Sequence, residues 1–379
     1  MELVEKYINS LMEESTPDCP IWNIEKIRQG KKSSWDYIDG CMILALLEFY
    51  KLRKEDHFFE FSKNYISYRV EEDGTINGYS MDTWNLDNIN EGKNLLTLYE
   101  LTKEEKYRLA ADRIFEQVVK QPRTPEGNFW HKEIYPNQVW LDGLYMVMPF
   151  YAKYANLFMD EAAKKEAYRD IYSQFFNVEK IMRDEKTGLY YHCYDATKSM
   201  YWCDKATGLS RHFWLRALGW FSMAMLDCID ILDDKASEEH RHLEAMFRDF
   251  VDSLLKVQSE SGMWYQLPVL AGREKNYLET SGSSIFSYCI LKGARLGLLS
   301  KDYIQYGKKA FKDICDRYLT EKDGHMGLGG ICLVAGLGGN TYRDGSYEYY
   351  MSEPIVEDDA KGTAPFILAY LEMNRLGEA

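Results

Sequence analysis

The chain has 379 residues, 46% of them hydrophobic and 28% charged, which is enough apolar material for a large core and too much for wholesale disorder. A formal net charge of −14 with no Lys/Arg-rich run excludes a nucleic-acid binder, and an acidic ligand would need a locally basic pocket. No stretch of about 18 uninterrupted apolar residues reads as a membrane span, and the eight cysteines show neither CxxC pairs nor zinc-like spacing.

The first segment, MELVEKYINSLMEES, is acidic and amphipathic, so it reads as a helix and not as a signal peptide. Together with cysteines that read as reduced, buried thiols, it points to the cytoplasm. From there one pattern recurs six times: a glycine turn, a polar stretch, then an apolar helix opened by a small residue. The turns fall at Gly30, Asp73-Gly74, Glu126-Gly127, Thr187-Gly188, Ser261-Gly262 and Asp323-Gly324. The helices that follow carry Gly40, Gly92, Gly143, Gly219, Gly282 and Gly362 near their starts, and they are apolar nearly all round, as buried helices are.

Segments between them, such as KYRLAADRIFEQVVKQ and SEEHRHLEAMFRDFVDSLLKVQ, repeat apolar residues at spacings of three and four and keep one polar face. In the second of these, His240 and His242 read as solvated surface residues. Six hairpins of this kind predict an all-α (α/α)6 barrel, a ring of inner helices inside a ring of outer ones, closed as one domain over 1–379. A two-domain helical array is the alternative, and the absence of any Pro/Ser-rich linker speaks against it.

In such a ring the starts of the inner helices face one mouth. Asp39, Asp87, Asp142, Arg216, Ser281 and Lys361 lie there. An Asp at a helix start is often only a cap, and Asp39 is read that way. The densest stretch is FWHKEIYPNQVWLDGLYM, residues 129–146, where His131, Lys132 and Asp142 sit among two Trp and two Tyr. His131 and Lys132 could hold a substrate carboxylate or be a loop hydrogen-bond partner and a solvated charge. His192, Arg216 and Trp220 form a second cluster. A buried guanidinium needs an anionic partner, either a ligand or Asp87 or Asp142. Paired acids at one mouth suit glycoside hydrolysis, one kept protonated and one ionised. No His/Cys metal cluster, GxSxG elbow or phosphate loop is present, and no cofactor or metal is expected.

The segments LDNINEG (86–92), GNFWHKEIYPNQVWLDGLYM (127–146), TGLYYHCYD (187–195), FWLRALGW (213–220), SGMWYQL (261–267), LETSGS (278–283) and KGTAPFILA (361–369) resemble glycoside hydrolase family 105, the unsaturated rhamnogalacturonyl hydrolases, over nearly the whole chain. The resemblance implies an (α/α)6 barrel that takes an oligosaccharide whose terminal uronic acid carries a C4=C5 double bond. It implies Asp142 as the acid and base of a hydration reaction, with Asp87 holding substrate hydroxyls and influencing Asp142. It places Tyr37, His131, Lys132, His192, Arg216 and Trp220 in the substrate pocket, Trp220 as a sugar platform. The acid needs a raised pKa, which an apolar mouth and the Asp87 carboxylate could both supply. The Gly-rich segment 333–345 matches no family position and falls on the leaving-group side. Alternatives are an unsaturated glucuronyl hydrolase of the related family 88 type, a sugar epimerase relying on His131 and His192, and a catalytically silent sugar-binding barrel. Oligomeric state is not legible.

Overall fold

The computed structural model describes residues 2–339 and 341–378. Its first helix, α1 (Glu2–Glu13), is followed by pairs in which a buried helix leads into a half-solvated one. These are α2 (Tyr37–Arg53) with α3 (Asp56–Ser67), α4 (Gly92–Thr102) with α5 (Glu105–Lys120), and α6 (Leu141–Phe158) with α7 (Glu161–Met182). They continue with α8 (Leu215–Ile231) and α9 (Glu238–Leu255), then α10 (Thr280–Arg295) and α11 (Ile304–Tyr318), and end with the buried α12 (Ala360–Arg375).

Burial separates the layers. Every residue from Thr280 to Ala294 of α10 and from Ala360 to Met373 of α12 is buried, whereas α5 buries only Tyr107, Ala110, Ala111, Ile114, Gln117 and Val118, the inward stripe of an amphipathic helix. Each inner helix packs on the next, and α12 returns to α2, where the Phe49 and Tyr370 rings lie 6.3 Å apart and Arg375 reaches Glu48 at 3.0 Å. The ring is therefore closed. Behind α12 the outer position is taken by α1, whose Glu5 accepts from the Tyr370 hydroxyl at 2.5 Å, so the sixth hairpin joins segments from opposite ends of the chain. Among the described residues no helix is long and apolar enough to cross a membrane, and all eight cysteines are free thiols.

All six expected turns are present, and their glycines have positive φ. At Gly74 and Gly188 the requirement is double, since a Cβ would also lie 2.7 Å from the Leu109 carbonyl carbon and 2.2 Å from Ser253 Oγ. The glycines inside the inner helices serve a different purpose. A Cβ on Gly40 would sit 2.9 Å from Glu91 Cα, one on Gly219 2.9 Å from Ile285 Cδ1 and one on Gly282 2.5 Å from Leu215 Cγ. These glycines let neighbouring inner helices approach closely where they converge on the mouth.

The links between helices carry three short antiparallel ribbons: β1 (Gln138–Trp140) with β2 (Cys193–Asp195), β3 (Leu319–Lys322) with β4 (His325–Leu328), and β5 (Ile331–Cys332) with β6 (Ile355–Val356). The first pairs Trp140 with Cys193 and ties the loop entering α6 to the loop that follows α7.

Two side chains show how local reading maps onto packing. Asp39 is structural, though not as the expected cap, which is Asp36 with its side chain accepting from Ile38 N and Asp39 N. Asp39 itself is fully buried and accepts from Trp22 Nε1 at 3.0 Å, Asn23 Nδ2 at 3.1 Å and the Ser33 hydroxyl. Asp39→Ala would orphan these donors, each at about 1–3 kcal/mol. We expect a loss of about 3 kcal/mol or more in a denaturant titration, with the activity of the folded fraction retained. His240, in contrast, is not a surface residue. It is fully buried with Nδ1 3.2 Å from the Tyr172 hydroxyl, because it shares the inward stripe of α9 with Leu243, Phe247 and Phe250. His242 is exposed and meets Glu179 at 2.7 Å.

Candidate active site

The N-terminal ends of the inner helices surround a cavity of about 350 Å³. Two larger hollows exist, one of about 620 Å³ on the outer surface between α1 and α11 and one of about 530 Å³ at the opposite end of the ring. Chemistry distinguishes the smaller one. It gathers Tyr37, Asp87, His131, Lys132, Asp142 and Arg216, six of the eight residues singled out from the sequence.

Asp142 lies in the first turn of α6, whose N-cap position is Trp140 and which has no side-chain cap bond. Its carboxylate is therefore not spent on the helix. The β1–β2 ribbon brings the preceding loop against His192, whose carbonyl accepts from Leu141 N at 3.3 Å, and His192 Nε2 stands 3.6 Å from Asp142 Oδ2. Neither of those two side-chain atoms has a hydrogen-bond partner in the protein. Burial raises the Asp142 pKa to about 7; the positive Arg216 opposes the shift and the Asp87 carboxylate adds to it. Burial is thus the main cause and Asp87 a lesser one, in a cavity lined largely by polar side chains. His192 is fully buried, with Nδ1 2.8 Å from the Tyr350 hydroxyl, and burial pushes its pKa down to about 3. A neutral imidazole therefore backs the acid and leaves it free of any salt link.

Asp87 behaves oppositely. It sits on a 3-10 turn, Leu86–Ile89, just ahead of α4, with its backbone N–H donating to Asn85 Oδ1 at 3.1 Å. Burial alone would raise its pKa, but Lys132 Nζ at 2.6 Å and the nearby His131, 3.6 Å away, hold it below the usual carboxylate value. His131 is stacked on Trp140 at 5.1 Å and 14°, and burial lowers its pKa to about 4. The two carboxyls that share the cavity are thus driven apart, one toward the neutral form and one toward the anion.

Arg216 is buried at the start of α8. Its guanidinium donates to the Cys332 and Leu333 carbonyls and to Ser281 Oγ, and it lies 4.7 Å from the Trp214 ring. It makes no ion pair with Asp87, Asp142 or any other carboxylate among the described residues. The remaining buried cation at the mouth, Lys361, is already matched by Glu25 at 2.6 Å and Asp359 at 3.0 Å. A chain of net charge −14 therefore presents beside Asp142 a guanidinium with no direct salt-bridge partner, its charged form favoured at longer range by Glu279 and Asp359, at helix N-termini that also favour anions.

Trp220 requires a correction. It is only 2% exposed and stacks on Tyr145 at 4.8 Å and 12°, beneath the cavity, so it cannot offer a face to a sugar. The rings that do line the cavity are Tyr37, Tyr135, Trp140 and Trp214. Sequence reasoning also missed Glu25 in the first turn of a short helix (Ile24–Arg28), Gln29 at that helix's C-cap, and Arg343 in the segment 333–345. The Trp in FWLR was the one available signal for Trp214; Glu25 and Arg343 look like ordinary surface charges. Among the described residues no group of three His, Cys, Asp or Glu side chains is arranged to hold a metal ion.

Residues 7–377 match the model of Glycosyl Hydrolase Family 88. A solved family 105 glycoside hydrolase from C. acetobutylicum ATCC 824 is 41% identical, with a TM-score of 0.90 and 99% of both chains covered. The unsaturated rhamnogalacturonyl hydrolase YesR of Bacillus subtilis (strain 168) is 26% identical over 304 residues, 77% of this chain and 78% of that one. The unsaturated glucuronyl hydrolase from Bacillus sp. GL1 is similar in fold alone, with a TM-score of 0.68 at 13% identity over 99% of this chain and 96% of that one. With this match and with one carboxyl of raised pKa and one clamped carboxylate at the mouth of a closed helical ring, the chain belongs to glycosyl hydrolase family 88, in the group that includes the family 105 enzymes, and is an unsaturated glycosyl hydrolase.

Proposed function

We propose that this hydrolase removes the terminal 4,5-unsaturated galacturonic acid from rhamnogalacturonan-derived oligosaccharides, acting as one cytoplasmic catalytic domain, and that Asp142 is its acid and base. The observation that carries the reading is a carboxyl with its pKa raised to about 7 and no salt link, on a cavity wall beside a guanidinium that makes no direct ion pair. Arg216 takes the uronate carboxylate. Asp142 gives its proton to C4 of the vinyl ether, and positive charge develops at C5 and the ring oxygen. Water adds at C5 as Asp142, now ionised, accepts the water proton. The hemiketal opens to a ketone at C5, and the hemiacetal left at C1 expels the leaving sugar as an alcohol.

In this scheme the second carboxylate is not a nucleophile. That suits Asp87, whose Oδ2 is held by Lys132 at 2.6 Å and which is left to bind substrate hydroxyls with Tyr37 and His131. His192 positions Asp142 from behind. The 26% identity to an unsaturated rhamnogalacturonyl hydrolase supports galacturonyl-rhamnose over glucuronyl substrates.

The assay is loss of the ultraviolet absorbance of the conjugated double bond, first with unsaturated galacturonyl-rhamnose and then with unsaturated chondroitin disaccharide. Turnover of the first alone is expected; turnover of the second alone would move the enzyme to the glucuronyl class. The pH profile carries a further expectation. Because Asp142 must begin protonated, kcat/KM should fall as pH rises through about 7. On the acid side the limit is protonation of Asp87. Lys132→Met removes the charge that lowers the Asp87 pKa and leaves the burial that raises it, so the acidic limb should move to higher pH. An unmoved limb would mean that Asp87 protonation does not control it.

A further inference from the structure

The cavity volume is at the lower end of ligand sites, so any sugars beyond the first leaving residue must lie outside it, against the rim. One stretch of that rim sets a cation that makes no direct ion pair, and that acts on the Glu353 carboxyl at longer range, beside a free aromatic face. Arg343 lines the cavity, is half-buried, and its Nε donates to Thr341 Oγ1 at 3.1 Å. Among the described residues it takes part in no ion pair, while the neighbouring Asp344 faces Arg211 at 4.0 Å. Its guanidinium packs over Gly336, where a Cβ would lie 2.6 Å from Nη1.

The adjacent Tyr342 is 70% exposed, and its ring lies parallel to Tyr201 at 4.4 Å and 6°, which leaves its other face to solvent. It has a φ of +50°, a conformation that a tyrosine adopts at a cost and that here holds the ring outward over its partner. The turn is closed by Gly338 N donating to the Arg343 carbonyl at 2.9 Å. It adjoins the cavity wall through Gly339, where a Cβ would stand 3.7 Å from the Tyr135 hydroxyl, and Tyr135 stacks on Trp140 at 5.1 Å.

We propose that Tyr342 and Arg343 form a distal sugar subsite that selects oligosaccharides carrying a second uronic acid beyond the scissile bond. Tyr342 stacks on a sugar ring and Arg343 pairs with the second carboxylate. This inference rests on the hydrolase reading above and adds a preference for chain length and charge to it. An aromatic ring suits the apolar face of a pyranose, and a planar guanidinium suits a carboxylate.

The test compares kcat/KM for three unsaturated substrates: the disaccharide, a tetrasaccharide with an internal uronate, and the same tetrasaccharide with that carboxyl reduced to an alcohol. The native enzyme should favour the acidic tetrasaccharide over the disaccharide by about tenfold or more, the worth of one charge-assisted pair, and should lose most of that ratio on the reduced one. Arg343→Gln should collapse the acidic-to-reduced ratio toward one. Tyr342→Ala should lower turnover of both tetrasaccharides alike. An enzyme inert toward every length would overturn the hydrolase reading and this subsite with it. Turnover with equal kcat/KM for all three substrates, or an acidic-to-reduced ratio unchanged in Arg343→Gln, would overturn the subsite alone.

Discussion

Asp142→Asn should lower kcat by about 10³-fold or more while leaving a folded protein, since general acid–base catalysis contributes on the order of 10²–10⁴ and here one group performs both halves. The amide keeps the shape of the carboxyl, and no protein hydrogen bond to Oδ2 is lost. Stability should move the other way. The folded-state pKa of Asp142 is raised by burial from 3.8 to about 7, so the native chain holds a proton that the unfolded chain has released between those values. Its favourable contribution is fully present below pH 3.8 and is lost as pH rises through about 7, where the ionised carboxylate becomes a burden to the fold. Asparagine carries no such charge. At pH 8 the variant should melt at the same temperature as the native enzyme or higher, read by circular dichroism, while the absorbance assay shows almost no turnover. A variant that works at near-native rate would remove Asp142 from the mechanism.

Arg216→Gln should cost about 10²-fold or more in kcat/KM, the scale for truncating one side of a buried charge pair. The guanidinium has two tasks. It binds the Cys332 and Leu333 carbonyls, which fixes the base of the segment leading to Arg343, and it offers a positive charge without a direct salt-bridge partner beside Asp142. Lysine separates them: Arg216→Lys keeps the charge but not the planar fork, so it should recover part of the lost affinity without restoring the carbonyl contacts. The defect in the Gln variant should appear largely in KM if the carboxylate is held equally in ground and transition states. If Arg216→Gln keeps kcat/KM within about threefold, no substrate carboxylate is seated on this residue.

The sequence made the ring legible because each repeat states a local requirement twice, once in a turn glycine with positive φ and once in a glycine near the start of the inner helix that a neighbouring segment approaches closely. Asp142, Asp87 and Arg216 were legible because helix starts in such a ring face one mouth, whereas His131 and Lys132, in the loop ahead of α6, stood out only by their crowding with aromatic residues. Depth was not. Trp220 lies four residues after Arg216, on the same face of α8, but about 6 Å further along the axis, which is enough to put it under the cavity floor against Tyr145. His240 shows the complementary difficulty, because its charged neighbours masked a position that the helical phase makes internal. Glu25 and Arg343 reach the cavity from a short helix and a loop whose course depends on tertiary packing, and no periodicity announces them.

The closure of the ring by α12 against α2 also sets when the enzyme comes into being. During translation the apolar flanks of α2 and α10 have no cover until residues 360–375 have left the ribosome. The ion pair between Glu25 and Lys361, which spans 336 positions, cannot form any earlier. A stalled or clipped chain lacking that last helix would therefore be not a slower hydrolase but an open crescent, sticky along both edges and without a pocket, and a client for chaperones or proteases.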